Sequence, residues 1–283
     1  MSSEKWYWTE PFLFEGMATV RTAMIYHEKS ALVLDRCLFY PEGGGQLGDR
    51  GSISIKGESR RVLDTQINDA GEIFVMLEQP FAIDVVGEQA QLHVNEEWRR
   101  SQMSQHTGQH LLSRLLQDRY GAPTVSARLG EQFFSVDVAA PVFTLEQIAQ
   151  IEDRLNQLIL EDSPIRAWFP TAEELAQLSL RKQPSVEEQI RIIQVEGFDV
   201  TPCGGTHCIR TGQVGVVHIV SVEKCKQLTR ILATAGLGTV RDFRRKEQSL
   251  QQLFPLLSAT TDTVVSQVEA FRAHDLELQT RLK

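Results

Sequence analysis

The chain has 283 residues, 42% of them hydrophobic and 23% charged, an ordinary globular composition at a length that suits about two domains. Its 29 Lys and Arg against 37 Asp and Glu give a net charge of −8, which argues against a protein that coats nucleic acid non-specifically. No apolar run reaches the roughly 18 residues of a membrane span. The opening MSSEKWYWTEPF lacks the basic and apolar regions of a signal peptide, and four cysteines make no disulfide framework, so a reducing, cytoplasmic setting is expected. Residues 1–93 carry 8 basic and 14 acidic side chains, residues 94–245 carry 17 and 18, so a polyanion should meet the middle of the chain.

In chain order, Ala18 to Tyr26 and Ser30 to Phe39 are β-branched or alternating runs. A glycine cluster, Tyr40-Pro-Glu-Gly-Gly-Gly-Gln-Leu-Gly-Asp-Arg-Gly51, precedes further strand-like runs at Gly51 to Ile55, Arg61 to Ile67 and Ile73 to Leu77. Short strands at close spacing predict a small barrel. From Glu96 to Tyr120 the apolar residues recur at three and four, which predicts a long amphipathic helix with Asn95 as N-cap and Gly121 just past its end. Strands are predicted at Thr124 to Ser126 and Phe133 to Val138. A helix follows from Thr144 to Glu161 with a Thr144/Gln147 capping box, and Pro164 ends it. Beyond it lie strand-like Ile165 to Phe169, a short helix Thr171 to Leu180, and strands Ile190 to Glu196 and Gln213 to Val222. Positions 254 to 282 follow a 4-3 apolar spacing, with Pro255 read as the beginning of one long helix. Such a seam suits a homodimer through the C-terminal helix, and packing back on its own domain fits equally. The expected fold is α+β: a barrel domain over residues 1–93, a two-layer α+β domain over 94–245 and a helical segment over 246–283.

Two motifs carry chemistry. Ser104-Gln-His-Thr-Gly-Gln-His-Leu-Leu112 puts His106 and His110 one turn apart on one helix face. Pro202-Cys-Gly-Gly-Thr-His-Cys208 puts Cys203 and His207 in one glycine-rich turn. Either pair alone is weak, since a His pair can be a helix surface feature. Together they form a one-Cys, three-His set whose sulfur and nitrogen donors select Zn2+ over magnesium or calcium. Thr107 stands where a two-His metalloprotease motif needs Glu, which excludes that class. The glycine cluster has no Lys-Ser or Lys-Thr after it and is no Walker loop. As a plain turn between barrel strands it would need positive φ. Cys208 and Cys225 read as ordinary reduced cysteines.

His-Thr-Gly-Gln-His-Leu-Leu followed far downstream by Cys-Gly-Gly-Thr-His resembles the editing domain of alanyl-tRNA synthetase and its free-standing AlaX relatives. The wording Phe39-Tyr-Pro-Glu-Gly-Gly-Gly-Gln-Leu-Gly-Asp resembles the glycine-rich motif of the larger AlaX forms, and the resemblance covers about residues 10 to 245. It implies hydrolysis, in trans, of alanine tRNA mischarged with serine or glycine. A pocket that rejects alanine must read the serine hydroxyl, and Thr107 resembles the threonine placed to do so. The plainer alternative is a helix threonine bonding its own backbone. Gln109, Gly204, Gly205 and Thr206 complete the implied substrate-binding set, although Gln109, two residues on, turns away from Thr107 on a helix. Gly43, Gly44, Gly45, Gln46 and Asp49 are the glycine-rich motif, implied to lie near the pocket and the tRNA end. Arg99, Arg100, Arg230, Arg241, Arg244 and Arg245 are candidates for tRNA contact, best in the cluster from Arg241 to Lys246. No catalytic side chain is assigned. Lys224-Cys-Lys-Gln-Leu-Thr-Arg230 departs from the family, which often has glycines after the lysine. Two functions are open: an editing hydrolase, or a zinc-stabilised tRNA-binding module or regulator without hydrolytic activity.

Overall fold

Alternating burial and tight turns build the front of the chain. In the computed structural model, which describes residues 3–184 and 189–282, β1 (Glu4–Lys5) and the helical turn α1 (Trp6–Thr9) lead into β2 (Glu15–Tyr26). It is followed by β3 (Lys29–Leu34), β4 (Arg36–Cys37), which pairs parallel to β1, then β5 (Gly51–Ile55), β6 (Glu58–Ile67), β7 (Ile73–Leu77) and β8 (Gln89–Val94). Six of them close an antiparallel barrel in the order β2-β3-β7-β6-β5-β8. Two-residue turns at His27-Glu28 and Lys56-Gly57 have positive φ at both residues, the geometry whose twist matches the flanking strands. In β8, Ala90, Leu92 and Val94 are buried while their neighbours are exposed, and they join Val20, Leu34, Ile53 and Val75 in the barrel core.

The expected N-terminal barrel is present, and so is the α+β character of the part after it. The next elements are α2 (Glu96–Tyr120), β9 (Thr124–Leu129), β10 (Phe134–Val138), α3 (Leu145–Leu160), β11 (Ile165–Trp168), α4 (Ala172–Gln177), β12 (Ile192–Val195) and β13 (Asp199–Pro202). A 3₁₀ turn at Thr211–Val214, β14 (Val217–Cys225) and β15 (Leu228–Ala235) complete this part. One sheet runs β14-β15-β10-β9, the other β11-β12-β13. Asn95 Oδ1 accepts from the Trp98 N–H at the start of α2, and Gly121 ends the helix at φ 58°. The capping box of Thr144 and Gln147 starts α3. A strand was expected to begin at Gln213; a 3₁₀ turn takes residues 211–214, and β14 starts only after Gly215, at φ 70°.

Helix α2 is not amphipathic along its length. Residues 105–113 are all buried, because sheet strands β9, β10 and β15 flank the helix while the glycine loop and the turn after β13 meet its functional residues. Gly108 makes this possible, since a Cβ there would lie 3.2 Å from Val217 Cγ2. The chain divides into two compact units at Leu237/Gly238, so the barrel and the α+β part belong to one unit. The tail differs from the single helix read from its heptads. Helix α5 (Leu237–Leu257) contains Pro255 in its last turn, where the residue has no N–H to donate to the carbonyl one turn back. Ser258 follows at φ 46°, and α6 (Val264–Arg281) starts afresh. No helix of the described residues is long and apolar enough to cross a membrane.

Candidate metal centre and its pocket

The two distant motifs meet. Helix α2 brings His106 and His110, the turn after β13 brings Cys203 and His207, and one donor atom from each lies within 4.8 Å of all the others. Cys203 Sγ is 3.4 Å from His106 Nε2 and 3.3 Å from His207 Nε2. The imidazole centroids of His106 and His207 are 4.2 Å apart, those of His110 and His207 4.5 Å. All three histidines are buried. Burial holds His110 well below the ordinary histidine range and pushes His207 down to about 4, so both are neutral lone-pair donors near neutral pH. Burial alone would raise the Cys203 thiol, but the three surrounding imidazoles outweigh it and hold it well below its ordinary value. Neutral imidazoles beside an acidified thiol are the protonation states that a soft divalent cation requires. His110 Nδ1 is moreover buried without a hydrogen-bond partner. The donor set fits a tetrahedral metal site.

Three of the four ligands, His106, His207 and Cys203, are held from behind. Gln46 Oε1 lies 2.8 Å from His106 Nδ1. Thr107 Oγ1 lies 3.3 Å from His207 Nδ1 and accepts from the Cys208 N–H at 3.1 Å. Arg191, just before β12 and 4% exposed, donates from Nη1 to the carbonyls of Cys203 (3.2 Å) and Gly205 (2.8 Å). Trp8 donates from Nε1 to the Gly204 carbonyl at 2.7 Å.

The cluster opens on a pocket of about 700 Å³ whose lining includes His106, Gln109, His110, Cys203, Gly204 and Gly205, together with Gly43, Gly44, Tyr40, Trp8 and Arg191. Thr107, expected to read a substrate hydroxyl, is 1% exposed and absent from that lining, its oxygen committed to His207 and Cys208. Gln109, expected to turn away, does line the pocket, its amide donating to Ser113 at 2.7 Å. Thr206 is fully buried against Gln46.

Arg99, grouped with the candidates for tRNA contact, is corrected: it is fully buried, its Nε donating to Asp49 Oδ2 at 2.8 Å and its Nη1 to the Pro11 carbonyl at 2.8 Å. Asp49 is equally buried and also accepts from the Tyr40 N–H. Arg100 lies against Phe12 and Phe14 and pairs with Glu96, and Arg230 pairs bidentately with Asp137. Arg241, Arg244 and Arg245 are exposed on α5, Arg245 with Asp242. The segment that departs from the family closes as a tight hairpin, Cys225 opposite Leu228 and Lys226 at φ 59°. Trp8 and Arg191 were missed by sequence reasoning, since no spacing ties either to a motif.

Residues 190–231 match the family described as the threonyl and alanyl tRNA synthetase second additional domain, and residues 12–98 match class II (A) tRNA synthetases. Both matches are thus to aminoacyl-tRNA synthetase families. An alanyl-tRNA editing protein AlaX-L from Pyrococcus horikoshii is 38% identical over 84% of this chain and 59% of its own length. Alanine–tRNA ligases from Neisseria meningitidis serogroup B and Saccharolobus islandicus are 29% and 28% identical over 90% and 94% of this chain, covering 30% of each ligase. Over most of its length the chain is thus similar to an AlaX-type editing protein and to alanine–tRNA ligases. It spans about three-fifths of the AlaX-L protein and under a third of the ligases.

Proposed function

We propose that this protein is a zinc-dependent deacylase that acts in trans on alanine tRNA mischarged with serine, and with glycine as a second substrate. The observation that carries the reading is a cluster of three buried histidines and the half-buried Cys203 that forms part of the wall of a pocket of about 700 Å³. That volume suits an aminoacylated nucleotide end better than a whole stem. His106, His110, Cys203 and His207 would hold the zinc, which supplies Lewis acidity toward an ester carbonyl or a water. Tyr40, Gly43 and Gly44 from the barrel side and Gln109, Gly204 and Gly205 from the cluster side would enclose the aminoacyl end. With Thr107 occupied, Gln109 is the α2 side chain proposed to read the serine hydroxyl, since it lines the pocket next to His110.

Exposed Arg241, Arg244 and Arg245 on α5 are the proposed contacts for tRNA outside the pocket, together with Arg100 and Arg230. Exposed Val268, Phe271 and Leu278 on α6 are the proposed seam of a homodimer. The proposed division of labour keeps residues 1–93 as the barrel domain, 94–245 as the editing domain and 246–283 as the helical segment. The function is tested with purified protein and alanine tRNA carrying serine, glycine or alanine. Serine should be released fastest, a chelator should abolish release, and zinc should restore it. Retained tRNA affinity without release of any amino acid would favour the binding-module reading.

A further inference from the structure

We propose that Gln46 is a positioning residue for the metal centre, delivered by the glycine-rich loop to fix the tautomer and ring orientation of His106. The inference rests on the metal reading above and deepens it. Gln46 lies 160 residues from Thr206 in sequence, is fully buried and is not itself part of the pocket lining. Its amide has one sensible orientation. The Thr206 backbone N–H can only donate, and it lies 3.0 Å from Gln46 Oε1, which makes that atom the oxygen. Gln46 Nε2 then donates to Thr206 Oγ1 at 2.8 Å. The same oxygen is 2.8 Å from His106 Nδ1, so the proton of a neutral His106 ring must sit on Nδ1. Nε2, the atom 3.4 Å from Cys203 Sγ, is left with its lone pair facing the cluster. A ring N–H donated to a fixed acceptor is how metal-binding histidines are oriented.

Two glycines make the contact sterically possible. A Cβ at Gly45, whose φ is +86°, would lie 2.6 Å from the Ala127 carbonyl oxygen, and the loop is pinned there by the Leu129 N–H on the Gly45 carbonyl at 2.7 Å. A Cβ at Gly205 would fall on the His106 ring and 2.8 Å from Gln46 Oε1. The loop therefore has two tasks: Gly43 and Gly44 line the pocket while Gln46 reaches past them to a ligand.

The test compares wild type, Gln46→Leu and Gln46→Glu by zinc affinity in chelator competition and by the visible spectrum of the cobalt-substituted protein. Gln46→Leu should weaken zinc binding about 10- to 100-fold and alter the cobalt spectrum. Gln46→Glu keeps an acceptor for both the His106 ring N–H and the Thr206 N–H, and should bind zinc at least as tightly as wild type. A role in packing alone predicts the reverse order, because a buried carboxylate is harder to accommodate than leucine. Should Gln46→Leu fail to fold, Gln46→Asn, one methylene too short to reach, should show the same loss. Wild-type affinity and spectrum in Gln46→Leu, or Gln46→Glu binding as weakly as Gln46→Leu, would overturn the inference. A wild-type protein that binds neither zinc nor cobalt would overturn the metal reading itself.

Discussion

The Thr107 hydroxyl makes two contacts that involve no substrate, one with the His207 ring and one with the Cys208 N–H. Thr107→Val keeps the shape and removes both. The Cys208 N–H would then be buried and unpaired, at a cost of about 1–3 kcal/mol, and His207 would lose the group behind its ring. Urea unfolding should shift to lower concentration, zinc affinity should drop, and seryl and alanyl deacylation should fall together. A loss confined to the seryl ester would instead make Thr107 the hydroxyl reader. That His106 and His110 point the same way was legible because i and i+4 on a helix share a face whatever surrounds them. The direction of a hydroxyl one residue further on was not, since it depends on where a turn a hundred residues away comes to rest. Gln109 shows the same limit: its neighbours decide that it faces a cavity.

Helix α2 is held to the barrel through its first turns, where Arg99 and Asp49 form an ion pair with both side chains inaccessible to water. Removing one partner of such a pair strands the other charge. Arg99→Ala should therefore lower stability by about 3–5 kcal/mol, read from urea unfolding. A tRNA contact would behave differently, with stability unchanged and tRNA affinity reduced. The ends of α2 and α3 could be read from the sequence because caps are local chemistry: Asn95, Gly121, and Thr144 with Gln147. Strands β8, β13 and β15 left weak traces, being four to eight residues long and mixing Ala, Thr and polar side chains with their apolar positions. Their partners lie across the barrel or sheet, as when β8 pairs with residues 15–19 of β2. Strand preference of this kind belongs to the neighbours more than to the segment.

At the scale of the molecule, the barrel was recognisable from its closely spaced strands and turns, and the α+β part from its irregular mixture of elements. The tail is helical as expected, but its heptad pattern continues through a break between α5 and α6 that begins at Ser258. Four site residues that no local pattern could unite come from one helix and one turn, and the glycine loop of the barrel braces them from a third segment. A metal gripped by all four side chains would also be a staple. His106 and Cys203 are 97 positions apart. Tying such positions together removes unfolded-chain entropy worth about 4–5 kcal/mol, by the loop-closure relation that describes disulfides. Stripping the metal with a chelator should lower the thermal midpoint of the unit that contains the barrel, and re-addition should restore it. A midpoint indifferent to chelation would mean that packing alone holds the turn against the helix. If the staple holds, metal supply governs how long the folded chain survives in addition to whether it can act. A cell short of the ion would then lose the protein itself along with its activity.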